Sequence, residues 1–257
     1  MIILSIFVFK VKTIHMYQTE HLLLSADTKI SALILNNPYL MLLLEHFGIN
    51  VPLQEKSVNE ICIENNINTD LFLTFANLYN NNQFYYKDTF SYSEILTIIS
   101  YLKNSHKYYT EEIYPNILGI IKQMNSANNL KEMAMVEKFF RDYFTEVSEH
   151  LGYEDDIVFP YIIDLYGKVV NPESPGTQKK YTVSEYKEHH NDIEEKLNDL
   201  KNLLIKYLPV KNDQPLRRKL LFSLFELEYD LNIHAQIEDL ILIPLVTIME
   251  SHLKKSK

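Results

Sequence analysis

The chain has 257 residues, a formal net charge of -9, 46% hydrophobic residues, five Gly, nine Pro and one Cys. Such a composition can bury a sizeable core, which excludes disordered and collagen-like chains, and its acidic balance lacks the basic footprint of a nucleic-acid binder. Cys62 stands alone, so an internal disulfide and any multi-cysteine zinc or iron–sulfur site are excluded; it reads as a small buried hydrophobe in a protein of a reducing, cytoplasmic setting.

Little Gly and Pro, with long stretches of Leu, Ile, Lys, Glu and Asn, predict an all-α fold. Residues 1–28 read as an N-terminal extension. Its apolar run from Met1 to Val11 is too short to span a bilayer. No basic residue precedes it and no small-residue cleavage site follows, so no membrane partner is expected. Met16 opens a more ordinary soluble sequence, and a misassigned start accounts for the run.

Residues 29–82 predict a small domain of about three short helices. Turns at Asn37-Pro38, from Gly48 to Pro52 and from Asn65 to Asp70 punctuate it, and Ser57 with Glu60 forms a capping box ahead of Val58, Ile61 and Ile63. The run Asn80-Asn81-Asn82 is the connector.

Residues 90–254 change to four long amphipathic segments. Capping boxes are expected at Ser91 with Glu94, Asn129 with Glu132 and Thr182 with Glu185; the fourth segment starts near Asp213 with Pro215 in its first turn. Breaks from Ser126 to Asn129, from Asn171 to Lys180 and from Pro209 to Asn212 join the four into an antiparallel four-helix bundle.

One pattern occurs twice. His150, Glu154, Asp155 and Pro160 on the second long segment share their internal spacing with His234, Glu238, Asp239 and Pro244 on the fourth: His-x3-Glu-Asp-x4-Pro. At residue frequencies of roughly 5%, one such match is on the order of one in 10⁵. The spacing of four places His and Glu on one helical face.

Heptad rows show which face. Val136, Tyr143, His150 and Ile157 form one row and Phe140, Val147, Glu154 and Tyr161 its companion; Leu220, Leu227, His234, Ile241 and Leu224, Leu231, Glu238, Leu245 repeat the arrangement. Each pair therefore lies inside an apolar seam. Burying an imidazole and a carboxylate there costs several kcal/mol without partners, which favours metal ligation over a metal-free network.

The other two segments each add a seam histidine. His106 shares a row with Ile99, Ile113 and Ile120, and His190 with Val183, Leu197 and Leu204; its neighbour His189 has Lys196 in its row and is the rival candidate. His15, His21, His46 and His252 fall outside the seams and read as ordinary.

Four histidines and two carboxylates are too many for one tetrahedral zinc and suit two metals. A symmetric assignment gives each metal two histidines, with Glu154 and Glu238 bridging both. One oxo or hydroxo bridge then leaves an open position per metal for a diatomic gas, peroxide or water. The mixed donors suit iron, although ligand type alone also admits manganese or zinc. Asp155 and Asp239 either orient the histidines or serve as surface or capping residues. Pro160 and Pro244 are expected to kink or end their helices just past the metal level.

These segments carry a resemblance: residues 91–254 resemble the hemerythrin-like (HHE) family of di-iron four-helix bundles. From about Lys29 the chain resembles the repair-of-iron-centres family, which sets a small N-terminal domain before such a bundle. The match rests on His106-Lys107-Tyr108, His150 to Pro160, Glu188 to Ile193 and His234 to Pro244. It places the family's ligands on His106, His150, Glu154, His190, His234 and Glu238. It implies a non-haem di-iron protein of nitrosative and oxidative stress, with two iron ions, diatomic gases or peroxide as ligands, iron–sulfur client proteins as partners and room for a homodimer. The oxygen carriers of the family use five histidines, so the set here points away from reversible oxygen carriage. Many repair-type relatives carry a cysteine pair after a Gly-Ile/Val turn, whereas Gly48-Ile49 here runs into Asn50-Val51-Pro52, leaving that domain a docking or structural role. The competing reading is a di-iron sensor of oxygen or nitric oxide acting through a separate protein partner, since no output domain follows the fourth segment.

Overall fold

The computed structural model describes residues 24–50, 52–80, 90–128, 131–171, 181–189, 194–209 and 213–255. It is all-α: among the described residues there is no strand, only an isolated bridge between Lys29 and Ser57.

Four short helices come first, where about three were expected: α1 (Ile30–Asn36), α2 (Leu40–His46), α3 (Val58–Glu64) and α4 (Thr69–Tyr79). The Ser57–Glu60 capping box opens α3, and the Asn68 side chain caps α4 by accepting from the amides of Asp70 and Leu71. Gly48, at φ +72°, lets the chain reverse after α2 while the Ile49 amide returns to the Leu44 carbonyl at 2.8 Å.

Four long helices follow: α5 (95–128), α6 (131–170), α7 (described as Val183–His189 and again over 194–207) and α8 (214–255). They run antiparallel in sequence order, α5 packing on α6 and α8, and α7 on α8. Thr182 and Glu185 make the expected box at α7. The box expected at Ser91 does not form: Glu94 turns inward after a short 3-10 turn to accept from Asn68 Nδ2 at 3.1 Å. Asn129 lies outside the described residues. By length and composition alone, Gln214–Lys254 could cross a membrane; a bundle-core helix has the same signature, and 56% of its apolar window is buried inside the protein.

The short helices share one apolar core with the bundle. α2 packs on α5 and α4 on α8, and Phe47 and Phe75 each stand 4.8 Å edge-on from Tyr101 of α5. Such aromatic pairs contribute about 0.5–1.5 kcal/mol each beyond the area they bury.

Each long helix contains a π turn, and each turn ends two residues before a proline. The segments are Tyr108–Ile113, Glu154–Val158, Leu203–Tyr207 and Glu238–Leu242, ahead of Pro115, Pro160, Pro209 and Pro244. A proline ring collides with the carbonyl four residues back and supplies no N–H, and a widened turn relieves both problems without ending the helix. Of the two outcomes expected at Pro160 and Pro244, ending the helix is corrected: helix continues over Phe159–Val170 and Ile243–Lys255, past a π turn in each case. Only at Pro209 does it stop.

The extra residue in each π turn also shifts the heptad rows. Ile157 and Tyr161, expected in the seam, are half-buried, while Val158, Phe159, Ile162 and Leu165 take the core positions. In α8, Ile241 and Leu245 remain buried and Leu242, Val246 and Met249 join them.

Candidate metal centre

Midway along the bundle, three helices contribute buried polar side chains to one point. His106 of α5, Glu154 of α6 and His234 of α8 are 2%, 1% and 6% exposed, and one donor atom from each lies within 4.8 Å of the others. Helical spacing brings in two more of the residues singled out from the sequence. His150 Nε2 stands 3.3 Å from Glu154 Oε1, and His234 Nε2 stands 3.6 Å from Glu238 Oε2. His106 Nε2 is 3.4 Å from Glu154 Oε2. The two oxygens of Glu154 therefore face different histidines, on α5 and α6. His190 lies outside the described residues, as do His15 and His21; the side chain of His189 lies outside them as well.

This donor set fits a cation. Both ring nitrogens of His106, Nε2 of His234 and both oxygens of Glu154 are buried without a hydrogen bond of acceptable geometry, a state that costs about 1–3 kcal/mol per group, more for charged ones. The nitrogens and oxygens nevertheless converge at 3.3–3.6 Å. Two donors each about 2.1 Å from one metal ion stand at about that separation.

The surroundings orient the donors. Asp155 Oδ2 lies 3.2 Å from His106 Nδ1, a close charge outside hydrogen-bond geometry. Ser105 Oγ is 2.9 Å from His234 Nδ1, and that hydrogen bond holds the ring with Nε2 toward the site. Phe159 stacks on His106 at 5.5 Å. From α7, Tyr186 donates to Glu238 Oε1 at 2.5 Å. Burial opposes a charge on His106, but the Asp155 and Glu154 carboxylates outweigh it and lift its pKa to about 9. Without a cation, a proton takes up part of that charge.

Sequence reasoning missed four contributors. Ser105 and Tyr186 sit on the expected faces, yet nothing in periodicity distinguishes a hydroxyl that reaches a site from one that packs. The other two are His46 and Asp230. His46, read from the sequence as ordinary, is 1% exposed and pairs with Asp230 at 2.8 Å, one helical turn before His234. Asp230 also accepts from Tyr109 at 2.8 Å and from Tyr79. The two partners are 184 residues apart, beyond any local signal. Cys62 is buried as expected, and burial pushes its thiol up to about 11. His252 is exposed.

An antiparallel bundle holding buried His and Glu donors at midheight is a metal-binding architecture. Residues 97–246 match the family model of the hemerythrin HHE cation binding domain, and the chain belongs to that family. It is a metal-binding protein of hemerythrin type, a class whose usual metal is iron. No curated protein and no solved structure matches the chain.

Proposed function

We propose that the chain binds two iron ions and acts in nitrosative and oxidative stress in the cytoplasm, reacting with nitric oxide or peroxide and supplying iron for repair of iron–sulfur clusters. The ligands in this reading are His106, His150, Glu154, His190, His234 and Glu238. The observation that carries it is Glu154, whose buried oxygens face His106 and His150 separately, as a carboxylate shared between two ions would. Tyr186 of α7 reaches Glu238, and His190 follows it by four residues in the sequence. Bound iron supplies the redox chemistry and the open coordination positions for small ligands.

The chain's own residues do the rest. Ser105 fixes the orientation of the His234 ring, Asp155 places a negative charge beside His106, Tyr186 holds one oxygen of Glu238, and Phe159 covers the His106 ring. Resemblance to the repair-of-iron-centres family supports the stress and repair role, with residues 29–82 as its small N-terminal domain.

The His46–Asp230 pair favours a second reading, a gas sensor in which ligand binding alters how the short helices sit on α8. Iron content per chain, with an ultraviolet-visible spectrum, tests the first reading on wild type, Glu154→Ala and His234→Ala. The expected result is near two irons with oxo-to-iron charge-transfer bands, lost in both variants, followed by nitric oxide consumption and repair of a damaged cluster protein. No metal, or one zinc indifferent to both substitutions, overturns it. Gas-dependent capture of a partner, without cluster repair, would move the assignment to the sensor.

A further inference from the structure

The chain has 18 Tyr and no Trp, and five of those tyrosines form a path from the metal centre to the surface. Tyr109 lies edge-on to His234 at 5.8 Å between ring centres. Its hydroxyl donates to Asp230 Oδ2, while that of Tyr79 donates to Asp230 Oδ1 and lies 3.0 Å from the hydroxyl of Tyr101. The Tyr79 ring is 6.1 Å from that of Tyr229, which stacks on Tyr39 at 4.4 Å. Tyr79, Tyr101 and Tyr109 are fully buried; Tyr229 and Tyr39 are half-buried and reach solvent.

Oxidising a phenol by one electron makes its O–H strongly acidic, so a buried tyrosine passes charge readily only beside a base that takes the proton. Asp230 is that base for two phenols at once, and His46 Nε2 lies 2.8 Å from Oδ2, the oxygen that also accepts from Tyr109. A buried aspartate that collects hydroxyls from two elements, next to the site but outside its donor set, is more than packing requires. Burial, then the charge of Asp230, hold Tyr79 and Tyr109 well above the ordinary phenol range. They therefore rest as neutral phenols.

We propose that Tyr109, Tyr79, Tyr229 and Tyr39 form an electron relay that gives the protein a peroxide-dependent one-electron oxidase activity toward ascorbate-class or phenolic donors at the Tyr39–Tyr229 face. The inference rests on the reading that the centre holds redox-active iron. Peroxide is the oxidant: it takes two electrons and two protons and becomes two waters. Two donor molecules each give one electron and one proton. In each relay step the O–H bond of Tyr79 breaks, its proton moves to Asp230 Oδ1 and its electron moves by way of Tyr109 toward the metal site. An electron from the donor, entering through Tyr39 and Tyr229, restores the phenol as the proton returns.

The test uses the iron-loaded full chain, one equivalent of hydrogen peroxide and ascorbate as donor, with freeze-quench EPR and ring-deuterated tyrosine. Wild type is expected to form a tyrosyl signal that narrows on deuteration and is quenched by ascorbate. Tyr229→Phe should keep the buried radical and lose the quenching; Tyr79→Phe should lose the quenching too and confine the radical to Tyr109, whose hydroxyl still donates to Asp230. A wild type that reacts with peroxide but forms no tyrosyl radical overturns the relay, as do variants that oxidise ascorbate at the wild-type rate.

If iron does not bind or peroxide is not consumed, the functional reading fails by itself, and the relay is then measured in the metal-free protein. A photo-oxidised ruthenium polypyridyl complex injects the hole at the surface. A tyrosyl radical in wild type that ascorbate quenches, strongly diminished in Tyr229→Phe, supports the path; its absence in wild type, or an equal yield in the variant, overturns it. Thermal melts of both variants verify folding, and Tyr229, half-buried and keeping its ring as Phe, is the gentler substitution.

Discussion

Replacing Asp230 by Asn keeps the shape of the side chain and removes the charge at the junction between the short helices and α8. Asp230 is 1% exposed and accepts from His46, Tyr109 and Tyr79. An amide has one acceptor oxygen, so one of the positions now facing a donor becomes a donor itself. Breaking a buried pair from one side costs about 3–5 kcal/mol, a large part of the roughly 5–15 kcal/mol that holds a domain together. Burial by itself would raise the Asp230 pKa, yet His46 and the hydroxyls hold it below the ordinary carboxylate value; the native structure thus stabilises the charge that the variant lacks.

Urea unfolding of the chelator-treated protein reads the loss. With a slope of about 1–3 kcal/mol/M, the midpoint should fall by at least about 1 M. His46→Ala and the double variant close a cycle, in which the two losses should fall well short of additive. Amide exchange in α2 should accelerate more than in the middle of α6. A loss below about 1 kcal/mol, or strict additivity, would refute the reasoning and make the junction ordinary packing.

Four further outcomes are expected. Saturating ferrous iron at about 100 times its Kd should stabilise the protein by about 2.7 kcal/mol for each ion bound, seen as a rise in melting temperature that Glu154→Ala abolishes. In the metal-free protein His106 has its pKa raised to about 9 from 6.5. Its contribution is therefore complete below pH 6.5 and lost as pH rises through 9; urea midpoints across that window should decline, and His106→Gln should flatten the decline. Pro160→Ala restores an amide hydrogen and removes the clash behind the π turn that begins at Glu154. It should lower iron affinity in a chelator competition while leaving the metal-free melting temperature unchanged or raised. Cys62, buried with its thiol pushed up to about 11, should react with a thiol reagent only as the chain unfolds, and fast modification of the native protein would contradict its burial.

Periodicity carried much of the architecture. Seam residues recur at heptad spacing because a helix turns every 3.6 residues, so Leu220, Leu224, Leu227 and Leu231 announce the buried face of α8, and His234 and Glu238 inherit it. The doubled His-x3-Glu-Asp-x4-Pro pattern is local in the same way and sets Glu154, His234 and Glu238 on buried faces, while His106 is read from its heptad row. Proline was legible as a disturbance, but not the form the disturbance takes. Whether a helix breaks, kinks or widens beside Pro160 depends on what packs beyond it, and here Phe159, Ile162 and Leu165 bury themselves and keep the helix going. Tertiary structure alone decided the contacts between distant elements. His46 meets Asp230 across 184 residues, and Tyr186 reaches Glu238 across 52. Such pairs leave no spacing to read, because only the packing of helices brings their side chains together.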